Sequence, residues 1–114
     1  MNIKRGTIYL AVLDPVIGCE MSKTRPVVVV SNDQNNLYAG TVTILPISSK
    51  ITERIYPFEV LLMEGAGNLP KRSKVKADQI RTLDKCRLVK QIGSLDDADM
   101  QQIDQALKIH LAWL

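Results

Sequence analysis

Hydrophobic and polar positions alternate with a period of two over most of the chain, then switch to three- and four-residue steps near the C-terminus. That switch predicts several short strands followed by one helix. From Thr7 to Leu13, residues Ile8, Leu10 and Val12 fall on one face and Tyr9, Ala11 and Leu13 on the other, and Asp14-Pro15 ends this first strand. A second strand is predicted from Pro26 to Ser31. Its valines, Val27 to Val30, leave no solvent face, so it is expected to be buried on both sides. Pro26 has no N–H and fits only the first position of such a strand. The run Asn32 to Asn36 reads as a polar turn, closed by Gly40. Thr41 to Ile47 reads as a third strand in which Pro46 predicts an edge, a bulge or a strand end. Phe58 to Met63 reads as a fourth strand, followed by a turn from Glu64 to Asn68. From Ser73 to Leu83, Val75, Ala77 and Gln79 alternate against Lys74, Lys76 and Asp78; Arg87 to Ile92 reads as the last strand.

The helix signal is independent of these. Ser94 and Asp97 have capping-box spacing, and Asp96, Asp97 and Asp99 place negative charge where the helix dipole favours it. Met100, Ile103, Leu107, Leu111 and Leu114 form one apolar stripe, expected to pack on the sheet or on a second subunit. One helix is too few to cover a doubly wound sheet. The pattern therefore predicts a mainly β fold with a C-terminal helix, a small barrel or sandwich. It is read as a single domain over residues 1–114, the β part over about 4–93 and the helix over about 95–113.

Composition bounds this picture. A chain of 114 residues with 46% hydrophobic content can bury one core, and at this size a partner subunit adds useful stability. There is no charged-then-apolar leader and no apolar run long enough to span a bilayer. Cys19 and Cys86 have no metal-ligand spacing and read as reduced thiols, so the expected location is the cytoplasm. The formal charge is +3. Lys71, Arg72, Lys74 and Lys76 crowd one segment, while Lys23 with Arg25 and Lys50 with Arg54 flank two loops. Each cluster alone reads as a solvated surface; together they give the path of cations that a phosphate backbone requires.

The candidate chemistry is narrow. With His110 as the only histidine, placed late in the helix, a two-histidine ribonuclease mechanism is excluded within one chain. There is no Gly-rich phosphate loop and no carboxylate cluster at metal spacing, so catalysis is expected to run without metal or cofactor on arginine, carboxylate and hydroxyl groups. Five aromatic residues, Tyr9, Tyr38, Tyr56, Phe58 and Trp113, do not make a stacking sheet. They favour a cleft that bonds base edges and phosphates. The segment Gly18 to Val30 supplies one carboxylate, Glu20, and one guanidinium, Arg25, the latter where the chain leaves solvent for the core.

This segment resembles the G-x-E-x(4)-R-P-V-V-V-V loop of MazF/PemK toxins. Lys4-Arg5-Gly6-Thr7-Ile8-Tyr9 is similar to the opening of those proteins, and Asp14-Pro15 precedes Gly18 and Glu20 at the family spacing. Ile44 to Ser49 resembles the strand end that carries their second catalytic position, and Asp78 to Leu88 resembles their Q-[IVL]-R-[TA]-[VIL]-D-K-x-R signature. The resemblance implies an SH3-like small barrel of the CcdB/MazF type, acting as a homodimer. It implies cleavage of single-stranded RNA at a short preferred sequence by attack of a ribose 2′-OH, leaving 2′,3′-cyclic phosphate and 5′-OH ends. Arg25 matches the catalytic arginine and Ser48 the catalytic threonine; Ile17, Gly18, Glu20, Lys23, Ser49, Gln79 and Arg81 fall at substrate-binding positions. An arginine is a poor base near neutrality, so its expected role is electrostatic stabilisation and orientation of the 2′-OH. The implied partners are single-stranded RNA and a MazE-like antitoxin whose acidic segment lies in the cationic cleft. Operator DNA would be reached only through that antitoxin, and no membrane is involved.

The chain also departs from the pattern. Ser48 lacks the methyl that fixes the threonine rotamer, and the residues leave it open whether Ser48 is a turn hydroxyl with Ser49 in its place. Glu20 reads equally as a loop ion pair, and Gln79 and Arg81 as dimer-interface residues. Two other functions compete. A non-catalytic gyrase poison like CcdB would act through a C-terminus such as Trp113-Leu114, although Trp113 is expected to pack the helix end. A silent SH3-like binding module would need an aromatic groove.

Overall fold

The computed structural model describes residues 2–13 and 24–113. Seven strands, β1 (Thr7–Val12), β2 (Thr24–Val29), β3 (Thr41–Ser48), β4 (Glu59–Leu62), β5 (Ser73–Lys76), β6 (Arg81–Asp84) and β7 (Leu88–Ser94), form one antiparallel sheet. Its order is β4-β5-β3-β2-β1-β7, with β6 also paired to β3. Two helices, α1 (Asp33–Tyr38) and α2 (Asp97–His110), complete the described chain. The fold is mainly β, barrel-like, with a C-terminal helix, as the alternation predicts.

Both sheet faces are buried, which explains the two-sided apolar strands. Ile8, Val28, Leu45, Ile47, Val60 and Val75 pack under α2 with Met100, Ile103 and Ala106. Tyr9, Ala11, Val27, Val29, Val42, Ile44, Leu83 and Leu88 fill a second core on the opposite face. Arg5 ties the N-terminus to this frame. Its backbone N–H donates to Asp33 at 2.7 Å, its Nε to the Val30 carbonyl at 3.0 Å, and its guanidinium pairs with Asp104 of α2.

Strand β3 organises the site. Its first half pairs with β6 and its last residues pair with β5. Ile47 lies opposite Val75 and Ile44 opposite Arg81, so three residues on β3 span six on the other side. A 3₁₀ turn at Ala77–Gln79 takes up the excess. It breaks the alternation with which the segment Ser73 to Leu83 begins. The break falls at Leu45 and Pro46, and Pro46 has no N–H to offer a neighbour. This resolves a proline in an interior strand: it sits where one partner leaves and the next arrives.

Other expectations change. The run Asn32 to Asn36, expected as a turn, starts helix α1. Asn32 caps it by accepting from the Asn35 N–H at 2.8 Å, and the Asn36 side chain is buried against Ser31. The second helix is capped by Asp96, which accepts from the Asp99 N–H at 2.8 Å, and not by Ser94, which ends β7. The apolar stripe of α2 is buried only as far as Leu107; Leu111 is 48% exposed. Trp113, expected to pack the helix end, is 67% exposed. Leu114 lies outside the described residues, and no helix among those described is long and apolar enough to cross a membrane.

Candidate active site

Strands β2 and β3 are adjacent and antiparallel, with Val27 opposite Pro46 and Val28 opposite Leu45. Continuing that register by two residues sets Arg25 opposite Ser48. Residues opposite each other in an antiparallel pair share a face. Both line one open cavity of about 270 Å³ at the β2 start and β3 end. Ser49 and Lys50 form one wall; Leu69, Pro70, Lys71 and Ser73 form the other. The second wall comes from a segment far away in sequence, brought in because β5 pairs with β3 through Lys74 and Ser48. The buried Ser73 hydroxyl donates to the Lys71 carbonyl at 2.8 Å and fixes that wall.

The Ser48 hydroxyl oxygen accepts from the Lys50 backbone N–H at 3.2 Å. That bond occupies a lone pair and leaves the hydroxyl proton for donation outward. It also restrains the rotamer that a threonine would fix by β-branching. The turn-hydroxyl and ligand-binding readings of Ser48 are thus compatible: the turn orients the donor. Arg25 is half-buried and lines the cavity. Arg25, Lys50 and Lys71 have no ion pair with any described carboxylate. The cavity therefore presents a planar guanidinium fork and a hydroxyl donor from adjacent strands, groups whose chemistry suits an anion.

The expected site residues divide. Arg25, Ser48 and Ser49 come together; Ile17, Gly18, Glu20 and Lys23 lie outside the described residues. Gln79 is exposed on the 3₁₀ turn, and Arg81 is half-buried opposite Ile44. Neither lines the cavity, and Arg81 lies about 13 Å from Ser48 along β3 by strand rise. Leu69, Pro70 and Ser73 were missed; no periodicity marks them, and only the β3–β5 pairing brings them in. Among the described residues no group of three or more His, Cys, Asp or Glu is placed to hold a metal. Cys86 is exposed and His110 ends α2 on the surface.

A buried ion network lies beside the site, on the sheet face that Ser48 shares with Lys74. The Glu59 carboxylate, with 1% of its side chain exposed, accepts from Lys74 at 3.2 Å, Lys76 at 2.9 Å and the Tyr56 N–H at 3.0 Å. Burial alone would raise the pKa of Glu59. The Tyr56 N–H and the two ammonium groups outweigh it and hold the carboxyl below its ordinary value.

Residues 4–111 match the family model for PemK-like, MazF-like toxins of type II toxin–antitoxin systems. The chain is 41% identical over 114 residues to the endoribonuclease MazF9 of Mycobacterium tuberculosis, covering 96% of each protein. Its fold is similar to that of MazF in the MazE–MazF complex of Deinococcus radiodurans, with a TM-score of 0.83, 25% identity and coverage of 100% and 99% of the two chains. It is also similar to a mycobacterial endoribonuclease solved with its cognate antitoxin, with a TM-score of 0.80, 27% identity and coverage of 98% and 97%.

Proposed function

Since the chain belongs to the family of PemK-like, MazF-like toxins of type II toxin–antitoxin systems, we propose that it is an endoribonuclease that cuts single-stranded RNA at a preferred short sequence without a metal. The observation that carries this reading is the juxtaposition of Arg25 and Ser48 over one cationic cavity. A ribose 2′-oxygen attacks the adjacent phosphorus; the 2′-O–P bond forms and the P–O5′ bond breaks. The 2′ proton leaves to solvent and the departing 5′ oxygen gains one, giving a 2′,3′-cyclic phosphate and a 5′-OH end. The transition state gathers negative charge on the non-bridging oxygens. Arg25 donates to them from a pre-placed fork, and the Ser48 O–H, oriented by Lys50, donates a further bond. Lys50 and Lys71 hold the flanking phosphates. DNA lacks the 2′-OH and is not cut by this route.

The partners follow from the same charges. An antitoxin with an acidic segment suits the cationic cleft. A homodimer is supported by the groove of about 470 Å³ beside α2, where Ile80, Leu107, Leu111 and the exposed Trp113 make an apolar side and Arg5, Asn32 and Asn35 a polar one. The test is incubation of the purified protein with a long single-stranded RNA in EDTA, with cut sites and end groups mapped. Discrete cuts with cyclic-phosphate ends support the reading. Absence of cleavage by folded protein transfers the case to a gyrase poison or a binding module.

A further inference from the structure

The loop between β3 and β4 carries an aromatic feature that the cavity does not use. Tyr56 and Phe58 lie with ring centroids 5.4 Å apart and planes 5° from parallel, an offset stack. The Arg54 guanidinium sits 5.4 Å from the Tyr56 ring centroid. Tyr56 is 42% exposed although it is large and apolar on both faces. A cation and two rings gathered at the surface of a cationic protein match what single-stranded RNA binders present to unpaired bases.

Side chains from around β5 tie the loop to the sheet. Arg72 donates to the Thr52 carbonyl at 3.3 Å, and Lys74 donates to the Arg54 carbonyl at 3.4 Å. Glu59 grips the Tyr56 N–H and both lysines at once. Lys74 also lies directly opposite Ser48 in the β3–β5 ladder. One buried residue therefore ties the active-site strand to the aromatic loop. Phe58 lies two strands over and three residues along from Ser48, about 14 Å measured along the sheet by strand spacing and rise. A nucleotide stacked there belongs to the same strand as the scissile phosphate but not to the scissile pair.

We propose that Arg54, Tyr56 and Phe58 form a nucleobase-stacking subsite for an unpaired base flanking the cleavage point. The subsite rests on the ribonuclease reading above and names where substrate length is sensed. A base stacks on the Tyr56–Phe58 pair or on the Arg54 guanidinium plane, and the phosphates beside it meet Lys50, Lys71 and Arg72. Because stacking accepts every base, the subsite adds affinity without sequence choice; choice stays at the cavity.

The test uses an RNA oligonucleotide containing a cut site mapped in the long RNA, in a full-length form and a form trimmed to the nucleotides adjoining the scissile bond. Tyr56→Ala is expected to raise KM for the full-length RNA about tenfold with kcat unchanged. Tyr56→Phe, which keeps the ring and loses the hydroxyl, is expected to stay within twofold of wild type. On the trimmed RNA, Tyr56→Ala and wild type are expected to be equal. A non-cleavable copy, 2′-deoxy at the scissile nucleotide, with 2-aminopurine at successive positions should show fluorescence quenching at one flanking position, lost in Tyr56→Ala. Equal KM values on the full-length RNA overturn the subsite and leave the ribonuclease reading standing. So does an equal loss on both lengths, or a loss of binding to an acidic peptide with RNA kinetics unchanged. A wild type that cuts no RNA overturns both.

Discussion

Two cationic regions meet at β5 and behave in opposite ways. Lys74 and Lys76 are drawn into the protein, where Glu59 neutralises them with direct bonds. Arg25, Lys50 and Lys71 line the neighbouring cavity yet have no ion pair with a described carboxylate. The first cluster has its counter-charge built in and serves the fold. The second has no counter-charge among the described carboxylates, which suits the anion-binding role proposed for it. A row of lysines in sequence does not distinguish the two. What separates them is one buried glutamate two residues along the neighbouring strand.

That difference predicts different failures. The largest effect is on chemistry: Arg25→Ala is expected to lower the RNA cleavage rate about a thousandfold, because it removes a pre-placed donor to the transition-state oxygens. Its melting temperature should match wild type, since no described carboxylate loses a partner. The converse holds for Glu59→Ala. Removing the one anion that pairs with the buried Lys74 and the partly buried Lys76 should cost about 3 kcal/mol in denaturant unfolding. A Glu59→Ala protein as stable as wild type would contradict a structural role for the Glu59–Lys74–Lys76 cluster.

The pH dependence sharpens it. Glu59 has its folded pKa held below the ordinary 4.5, so its contribution to stability is fully present above pH 4.5. It is lost as pH falls through 4.5 toward the depressed value. The melting-temperature gap between wild type and Glu59→Gln should therefore be constant near neutrality and narrow in acid. A gap that widens on acidification reverses the sign and contradicts the assignment. The smallest effect is Lys71→Ala. It should weaken RNA binding and reduce the slope of log affinity against log salt by about 0.7, with stability unchanged.

The sequence was most legible where pattern and packing agree. The four valines of β2 and the alternation of β1 read directly as two-sided burial, because each residue's partner lies across a regular ladder. Helix α1 was not legible: its asparagines are poor helix formers, and the helix stands on the Asn32 cap and the buried Asn36. The break at Ala77 to Gln79 was hidden because it answers to Pro46, some thirty residues earlier. At the candidate site, the motifs pointed to Arg25 and Ser48, which line one cavity, whereas the wall from Leu69 to Ser73 exists only through the β3–β5 pairing. The scarcity of aromatics argued against stacking surfaces. Two of the five nevertheless stack on a loop, a juxtaposition that composition does not reveal.

The most direct measurement of the central claim is a double-mutant cycle on the cleavage rate, with Arg25→Ala, Ser48→Ala and the double variant compared on one RNA in EDTA. Each single variant should be severely impaired, Ser48→Thr should stay active, and the double variant should be hardly worse than Arg25→Ala, since both side chains serve one phosphate. Losses that multiply, or cleavage that survives without Arg25, would contradict it.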